Sequence, residues 1–332
     1  MNRLAKPLLI AGIFAIISAG CFLFYEFESP QLLPKAFARI VKYKLHHDSK
    51  NKVITGRDGW LFWQPELEYV IDPLPPDNVK SIAEFDSTLR THGIALFVMP
   101  IPNKIDIYPE KLTLLPAPHP VKRARLEQVR QLERAGVRVI DLVPAFEAAK
   151  KRCRVFDAFE THWTAAGIEV AAGVIAQRVD SALRARGISQ STVYSVCDTV
   201  LYTHGDLLDK INGDEKYTWY PFQVKRVLCA DGSLYSDDRK SDILILGDSF
   251  VDHGRWWNAN LSAQLSRLVR HPCRTYFSLL ANTEGPCMYQ HKPSAFPENG
   301  IVIWAFTSRV LQYRLGCPKP DSQASHPPAR QY

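Results

Sequence analysis

Apolar residues in this chain gather into short runs set between amphipathic stretches. The runs at 94–99 (IALFVM), 243–246 (ILIL) and 301–306 (IVIWAF) contain no polar residue. Runs of that length suit parallel strands buried on both faces, which have no solvent side to alternate towards. Segments 137–140 and 275–279 read as two more strands. Between them the period changes to that of a helix. Over 78–92, Val79, Ile82, Phe85 and Leu89 share one face and Gly93 ends the element. A second helix is predicted at 121–135. A third runs from an N-cap at Thr164 to about Arg186, with Ile168, Ala171, Ile175 and Val179 inward. A fourth covers 259–269, with Leu261, Leu265 and Leu268 on one face. Five short strands interleaved with helices predict an α/β fold, a three-layer α/β/α sandwich around a mostly parallel sheet. Ligands of such sheets bind beyond the carboxyl ends of the strands.

The ends of the chain obey other rules. Segment 7–25 (PLLIAGIFAIISAGCFLFY) carries no charge and comes after Arg3 and Lys6. At 1.5 Å per residue, about 19 residues just span a roughly 30 Å hydrocarbon core. The basic flank keeps residues 1–6 in the cytoplasm and exports the rest of the chain. Ser18-Ala19-Gly20-Cys21 resembles a lipoprotein cleavage site, but apolar residues continue through Tyr25, which favours an uncleaved signal anchor. The expectation is a single-pass inner-membrane protein with its main domain in the periplasm. Residues 26–52 read as a linker, 53–317 as the main domain and 318–332 as a disordered tail. Asp58-Gly59 predicts the turn of a small hairpin that includes 60–63 (WLFW), and 190–241 reads as decoration on the main sheet.

Composition narrows the function classes. Of 332 residues, 46% are apolar and 23% charged, which excludes wholesale disorder. The 41 Lys and Arg exceed 34 Asp and Glu by seven without any block of like charge, so no nucleic-acid partner is expected. Cys153, Cys197, Cys229, Cys273, Cys287 and Cys317 lie in the exported part, where an even number predicts disulfides whose pairing stays open. No CxxC or Cys/His spacing of the zinc type occurs, so neither a metal nor a cofactor is expected.

Ser249 comes directly after ILIL in Gly247-Asp248-Ser249-Phe250, on a turn leaving a buried strand. That position exposes a hydroxyl while turn N–H groups, Phe250 among them, face an incoming oxyanion. A serine needs a base, and the base needs an acid to orient it. His162 in Phe159-Glu160-Thr161-His162-Trp163 is the best base, with Glu160 two residues before it and Trp163 placed to exclude water. Asp157 is the other candidate acid, and His253 competes locally as base.

GRDGWLFW, MPIPNKIDIYPEKL, FETHWTAAG, THGDLLDKI and ILGDSF occur here in the order found in the AlgJ/AlgX-type alginate O-acetyltransferase family, which the chain resembles from about residue 54 to 312. The resemblance implies a circularly permuted SGNH-hydrolase-like fold in which the acid-x-His-Trp motif precedes the nucleophile strand. It implies Ser249 as nucleophile and His162 as base, with Glu160 standing where the family shows aspartate. It places Asn282 or Gly285 in the oxyanion hole, although 282–286 also reads as a plain turn. Of the Glu-Arg pair on the family's terminal strand only Arg309 remains. The implied function is a periplasmic, membrane-anchored O-acetyltransferase acting on an exopolysaccharide through an acyl-serine. Its acetyl donor would come from a membrane-bound O-acyltransferase. A carbohydrate O-acetylesterase and a non-catalytic polysaccharide-binding protein are the alternatives.

Overall fold

A computed structural model describes residues 47–48, 52–68, 76–112, 119–212, 218–278, 281–312 and 315. The anchor expected at 7–25, nearly all of the linker and the tail at 318–332 lie outside the described residues. Among the described residues no helix is long and apolar enough to cross a membrane.

Strands β1 (His47–Asp48), β2 (Val53–Thr55) and β3 (Leu61–Trp63) form a small antiparallel sheet. Its β2–β3 turn places Asp58 and Gly59 at φ 55° and 76°, the left-handed region a tight Asp-Gly turn uses. Strands β4 (Ala95–Ile101), β7 (Ile243–Gly247), β8 (Arg274–Phe277) and β9 (Ile301–Thr307) make the central sheet. Its order is β4-β9-β7-β8 and every pairing is parallel. Between β4 and β7 in sequence lies an antiparallel ribbon of β5 (Tyr194–Thr203) and β6 (Tyr220–Cys229).

Alternate residues of each central strand enter different cores, which is why those segments are apolar at every position. Ile243, Ile245, Ile301, Ile303 and Ala305 face the helices Ala165–Ala185 and Leu261–Val269. Leu244, Leu246, Val302, Trp304 and Phe306 face Pro76–Thr91, His119–Arg134 and Ala281–His291. Each buried aliphatic side chain contributes about 1.5–3 kcal/mol. Thr164 caps its helix by accepting from the Gly167 N–H at 3.0 Å, and Ile168, Ala171, Ile175 and Val179 are fully buried.

Three expectations need correction. The strand at 137–140 reduces to one parallel rung, Val139 to Val98, where the Val98 N–H donates to the Arg138 carbonyl and the Ile140 N–H to the Val98 carbonyl, both at 2.8 Å. Leu268 is 38% exposed, while Val269 takes its place in the core beside Leu261 and Leu265. Within 190–241, β5 and β6 pair as a regular antiparallel ribbon separate from the central sheet, with the helix Asp206–Asn212 between them in sequence. No disulfide joins any two of the five described cysteines, which sit on separate elements: Cys197 and Cys229 on opposite strands of the ribbon, Cys273 before β8, Cys287 in a helix and Cys153 in a loop. Cys317 lies outside the described residues.

Candidate active site

Parallel order brings the carboxyl ends of β4, β9 and β7 to one edge, and the polar residues that leave those strands meet there. After β7 the chain turns sharply at Gly247. A Cβ at that position would come within 2.4 Å of the Ala305 carbonyl and 2.6 Å of Val251, so only glycine lets the turn pack against β9. Asp248 then caps the short helix Ser249–Asp252 by accepting from the Phe250 N–H at 3.0 Å. Its second carboxylate oxygen accepts from the Thr307 N–H at 3.2 Å, which ties the turn to the end of β9.

The turn delivers the Ser249 hydroxyl 2.9 Å from His162 Nε2, across 87 residues of sequence. His162 Nδ1 lies 2.7 Å from Glu160 Oε1. Serine, imidazole and carboxylate therefore form one hydrogen-bonded chain, the arrangement that lets a histidine take a serine proton. The imidazole is largely enclosed: its side chain is 17% exposed, stacks on His253 at 4.6 Å and leans over Phe250 at 4.7 Å. Burial holds His162 down to about 4, with Asp206 and Asp248 opposing and Arg309 and Lys104 assisting. At neutral pH it is unprotonated, the form able to accept the serine proton.

Glu160 takes the acid position. Its extra methylene is accommodated because both carboxylate oxygens are held: Oε1 also accepts from the Thr161 N–H at 3.1 Å, and Oε2 from the Asp206 N–H at 3.0 Å. Asp157, the other candidate acid, is engaged elsewhere, accepting from the Phe159 N–H at 2.8 Å and the Tyr220 hydroxyl at 2.9 Å.

Asp206 is a site residue that sequence reasoning misses. It opens the helix Asp206–Asn212, and its carboxylate accepts from the Thr161 N–H (2.6 Å) and hydroxyl (2.8 Å). Burial, then the Asp206 charge, push Glu160 up to about 8. Burial works to raise Asp206 as well, but Glu160, Lys210 and Thr161 hold it down to about 2. The signal was present in THGDLLDKI, whose Gly205 and Asp206 pack on and clamp the acid loop while the Leu207 and Leu208 N–H groups donate to the Phe159 carbonyl at 3.1 and 3.3 Å. A Cβ on Gly205 would lie 2.2 Å from the Phe159 carbonyl oxygen.

The other expected site residues are placed differently. The Phe250 N–H is spent on Asp248 and its ring packs on His162, Trp163 and Phe156. Among the described residues the Ser249 N–H has no acceptor, which leaves it available to an oxyanion. Gly285 lies in the helical segment Ala281–His291, between a kink at Glu284 and Pro286, with the Trp304 ring 2.8 Å from where its Cβ would be, so close packing requires glycine there. Asn282 opens that helix, and its side chain lies outside the described residues. Arg309 stacks over Trp63 at 4.7 Å, donates to Asn103 at 3.4 Å and lies 3.8 Å from buried Glu66. With it sits the fully buried Lys104, whose ammonium donates to the Leu61 carbonyl at 2.8 Å and so joins the small sheet to the end of β4. These cations act on His162 through their charge. Trp163 is fully buried and helps wall the site. A cavity of about 340 Å³ opens beside Glu160 and His253, walled by Tyr220, Phe222 and Trp257. Among the described residues no cluster of His, Cys, Asp or Glu could hold a metal ion.

Comparison with known proteins identifies the family of this fold. The family model for the SGNH hydrolase-like domain of acetyltransferase AlgX matches residues 53–274, well over half of the chain. The chain belongs to the AlgX family of SGNH hydrolase-like domains. Among curated members of related sequence are probable alginate O-acetylases AlgJ. The one from Pseudomonas putida is 27% identical, over 85% of this chain and 76% of its own length. The one from Pseudomonas aeruginosa is 25% identical, over 81% and 73%. In three dimensions the AlgX-family fold is shared with the O-acetyltransferase domain of Pseudomonas putida AlgJ. That match has a TM-score of 0.60 and 22% identity, over 79% of this chain and 93% of that one. Pseudomonas aeruginosa AlgX matches with a TM-score of 0.61 and 16% identity, over 79% and 64%.

Proposed function

We propose that this protein transfers acetyl groups to hydroxyls of a polysaccharide through an acetyl-Ser249 intermediate. The observation that carries the reading is the unbroken contact from Ser249 Oγ through His162 to Glu160 at the carboxyl edge of the sheet. The relatedness to probable alginate O-acetylases supports acetyl as the group moved and a polysaccharide as the acceptor.

In the first half-reaction Ser249 Oγ attacks the acetyl carbonyl carbon of the donor while its proton passes to His162 Nε2. The Ser249 N–H stabilises the oxyanion that forms. Collapse breaks the bond to the leaving group, which takes the proton back from His162. In the second half, a sugar hydroxyl gives its proton to His162 and its oxygen attacks the acetyl carbon. The Ser249 oxygen then leaves and regains the proton. In both halves the Glu160 carboxylate stabilises the imidazolium through Nδ1–H. The apolar 7–25 segment would anchor the domain on the periplasmic side of the inner membrane, where a membrane-bound O-acyltransferase supplies the acetyl donor.

The test is to incubate the full chain with an artificial acetyl ester, with and without an oligosaccharide. Acetylated oligosaccharide, absent with Ser249→Ala, is the expected result. Acetate release indifferent to sugar, with no acetylated product, would replace transfer by hydrolysis. Polymer acetylation in cells untouched by Ser249→Ala would remove the catalytic role altogether.

A further inference from the structure

A cleft of about 780 Å³ runs beside β8, outside the triad, within the volume range of small-ligand sites. Four cationic side chains line it: Arg239, Arg255, Arg274 and Lys292. Arg255 is paired with Asp252 at 2.6 Å. The other three have no carboxylate within ion-pair distance among the described residues. Asp237 also lines the cleft, but both its oxygens are taken, one by the Ser262 hydroxyl at 2.6 Å and one by the Thr275 N–H at 2.7 Å. The lining side chains thus carry more positive than negative charge, while Asp238 and Asp242 act on Arg274 through their charge from beyond ion-pair distance.

Two polar atoms on its wall have no partner. Arg274 Nε and Thr275 Oγ1 are both buried and make no hydrogen bond. Arg274 is held in place by donating from Nη1 to the Arg239 carbonyl at 2.9 Å, so its remaining N–H groups are oriented and free. A buried donor left unmatched carries an uncompensated desolvation cost that an oxygen-rich ligand would relieve. The cleft also carries Trp256, which is 89% exposed. An indole so placed offers a flat apolar face of the kind the less polar face of a sugar ring covers. Trp256 and Trp257 share one short turn. Trp257 points inward, 4.8 Å from His253, which itself stacks on the catalytic imidazole. The cleft and the triad are thus the two sides of a single segment, residues 255–257.

We infer that this cleft binds a carboxylate-bearing sugar unit of the acceptor polymer, next to the unit being acylated. Its ring stacks on Trp256, and its carboxylate meets the guanidinium of Arg274 with Arg239 and Lys292 alongside. The inference rests on the acyl-transfer reading for the identity of the polymer, but not for the binding itself. A single-stranded nucleic acid is disfavoured, because the described lining offers one exposed indole rather than a row of stacking platforms.

The test uses the full chain carrying Ser249→Ala, so that bound ligand is not turned over. Binding is measured for an oligouronate, a neutral oligoglucoside of equal length, inorganic phosphate and an oligonucleotide. The oligouronate should bind most tightly and weaken as salt rises. Trp256→Ala, Arg239→Ala and Lys292→Ala, all at exposed positions, should each weaken it about tenfold, the effect of losing one charge-assisted or stacking contact. In the chain with Ser249 intact, the same three changes should leave hydrolysis of a small acetyl ester unaltered. Equal binding of the neutral oligomer, or affinities indifferent to the three changes, would overturn the inference. So would equal binding of the oligonucleotide, or of phosphate, the latter marking a simple anion site. Oligouronate binding that responds to the variants, in a chain that neither transfers nor hydrolyses acetyl groups, would sink the catalytic reading and keep this one.

Discussion

The nucleophile and its base are held in place by opposite means. Ser249 stands two residues beyond a fully buried strand, fixed by its neighbours in sequence: Gly247 packed on Ala305 and Asp248 capping the turn. His162 and Glu160 lie in a stretch, 150–164, whose one extended rung is Phe156 to Trp163. Distant residues hold that stretch. The Tyr108 hydroxyl accepts from the Val155 N–H at 3.0 Å, Tyr220 reaches Asp157, and Asp206 clamps Thr161 and Glu160. The strand-built half inherits its rigidity from two cores. The loop-built half depends on a handful of hydrogen bonds, so its geometry can be altered without dissolving the sheet. Removing either reacting side chain should abolish chemistry, changes to the supports of the first half should also threaten the fold, and changes to the supports of the second should tune the rate.

The largest effect should come from the nucleophile. Ser249→Ala and His162→Ala should each lower kcat/KM on an acetyl ester by about 10³-fold or more, and the double change should cost little beyond either, because the two act as a unit. Additive losses would show that the two side chains do not share one proton transfer.

Next is the clamp. In Gly205→Ala the new methyl meets fixed backbone and the Phe159 side chain, at 2.2 and 2.6 Å, so the loop carrying Asp206 must move off the acid. A displacement near 1 Å can cost about 10²-fold in rate. The sheet is untouched, so far-UV circular dichroism and cooperative unfolding should persist. Full activity in this variant would show that the acid needs no support from Asp206.

Smaller, and more specific, is the pH response. His162, held near 4, is neutral throughout the physiological range, whereas Glu160, raised to about 8, ionises just above neutrality. Since the base needs an ionised partner, kcat/KM should rise with pH to a midpoint near 8. Asp206→Asn keeps the N–H that holds Glu160 and removes a like charge beside it, so the midpoint should move to lower pH. A profile that drops in height with no shift would mean that Asp206 acts through geometry alone.

The same contrast governs what could be read from the sequence. Segments shaped by local rules were legible. Unbroken apolar runs gave β4, β7 and β9, and a threonine before a periodic stretch gave the start of the Ala165–Ala185 helix. The nucleophile turn was legible for the same reason. The choice between Glu160 and Asp157 was not, because it is made by Asp206 and Tyr220, 46 and 63 residues away. The β5–β6 ribbon was missed because its inner face is narrow: only Val224 and Val227 are buried, and β5 has no buried residue to impose a pattern. The expectation of disulfides counted cysteines, and a count contains no distances.

The least drastic prediction concerns stability in acid, which should be concentrated in the loop-built half. Burial holds His253 down to about 3 and His162 to about 4, against an ordinary value near 6.5. Above pH 6.5 both rings are neutral in the folded and unfolded chain, and they add nothing to the pH dependence. Below it the unfolded chain takes up protons that the fold refuses, so stability falls until about pH 4 for one ring and about pH 3 for the other. Each unit of displacement corresponds to about 1.4 kcal/mol. Raised Glu160 acts in the opposite sense, gaining stability as pH falls from about 8 towards its ordinary value, and comparing two proteins that both retain it removes this contribution. His253→Phe keeps an aromatic ring against His162 and Trp257 but cannot take a proton. Urea unfolding between pH 7 and pH 4 should therefore give a shallower loss for this variant than for the wild type, while Ser249→Ala tracks the wild type. Parallel curves for His253→Phe and wild type would mean that the stacked imidazole pair is wetter than its packing implies, and the loop-built half more open than the strand-built one.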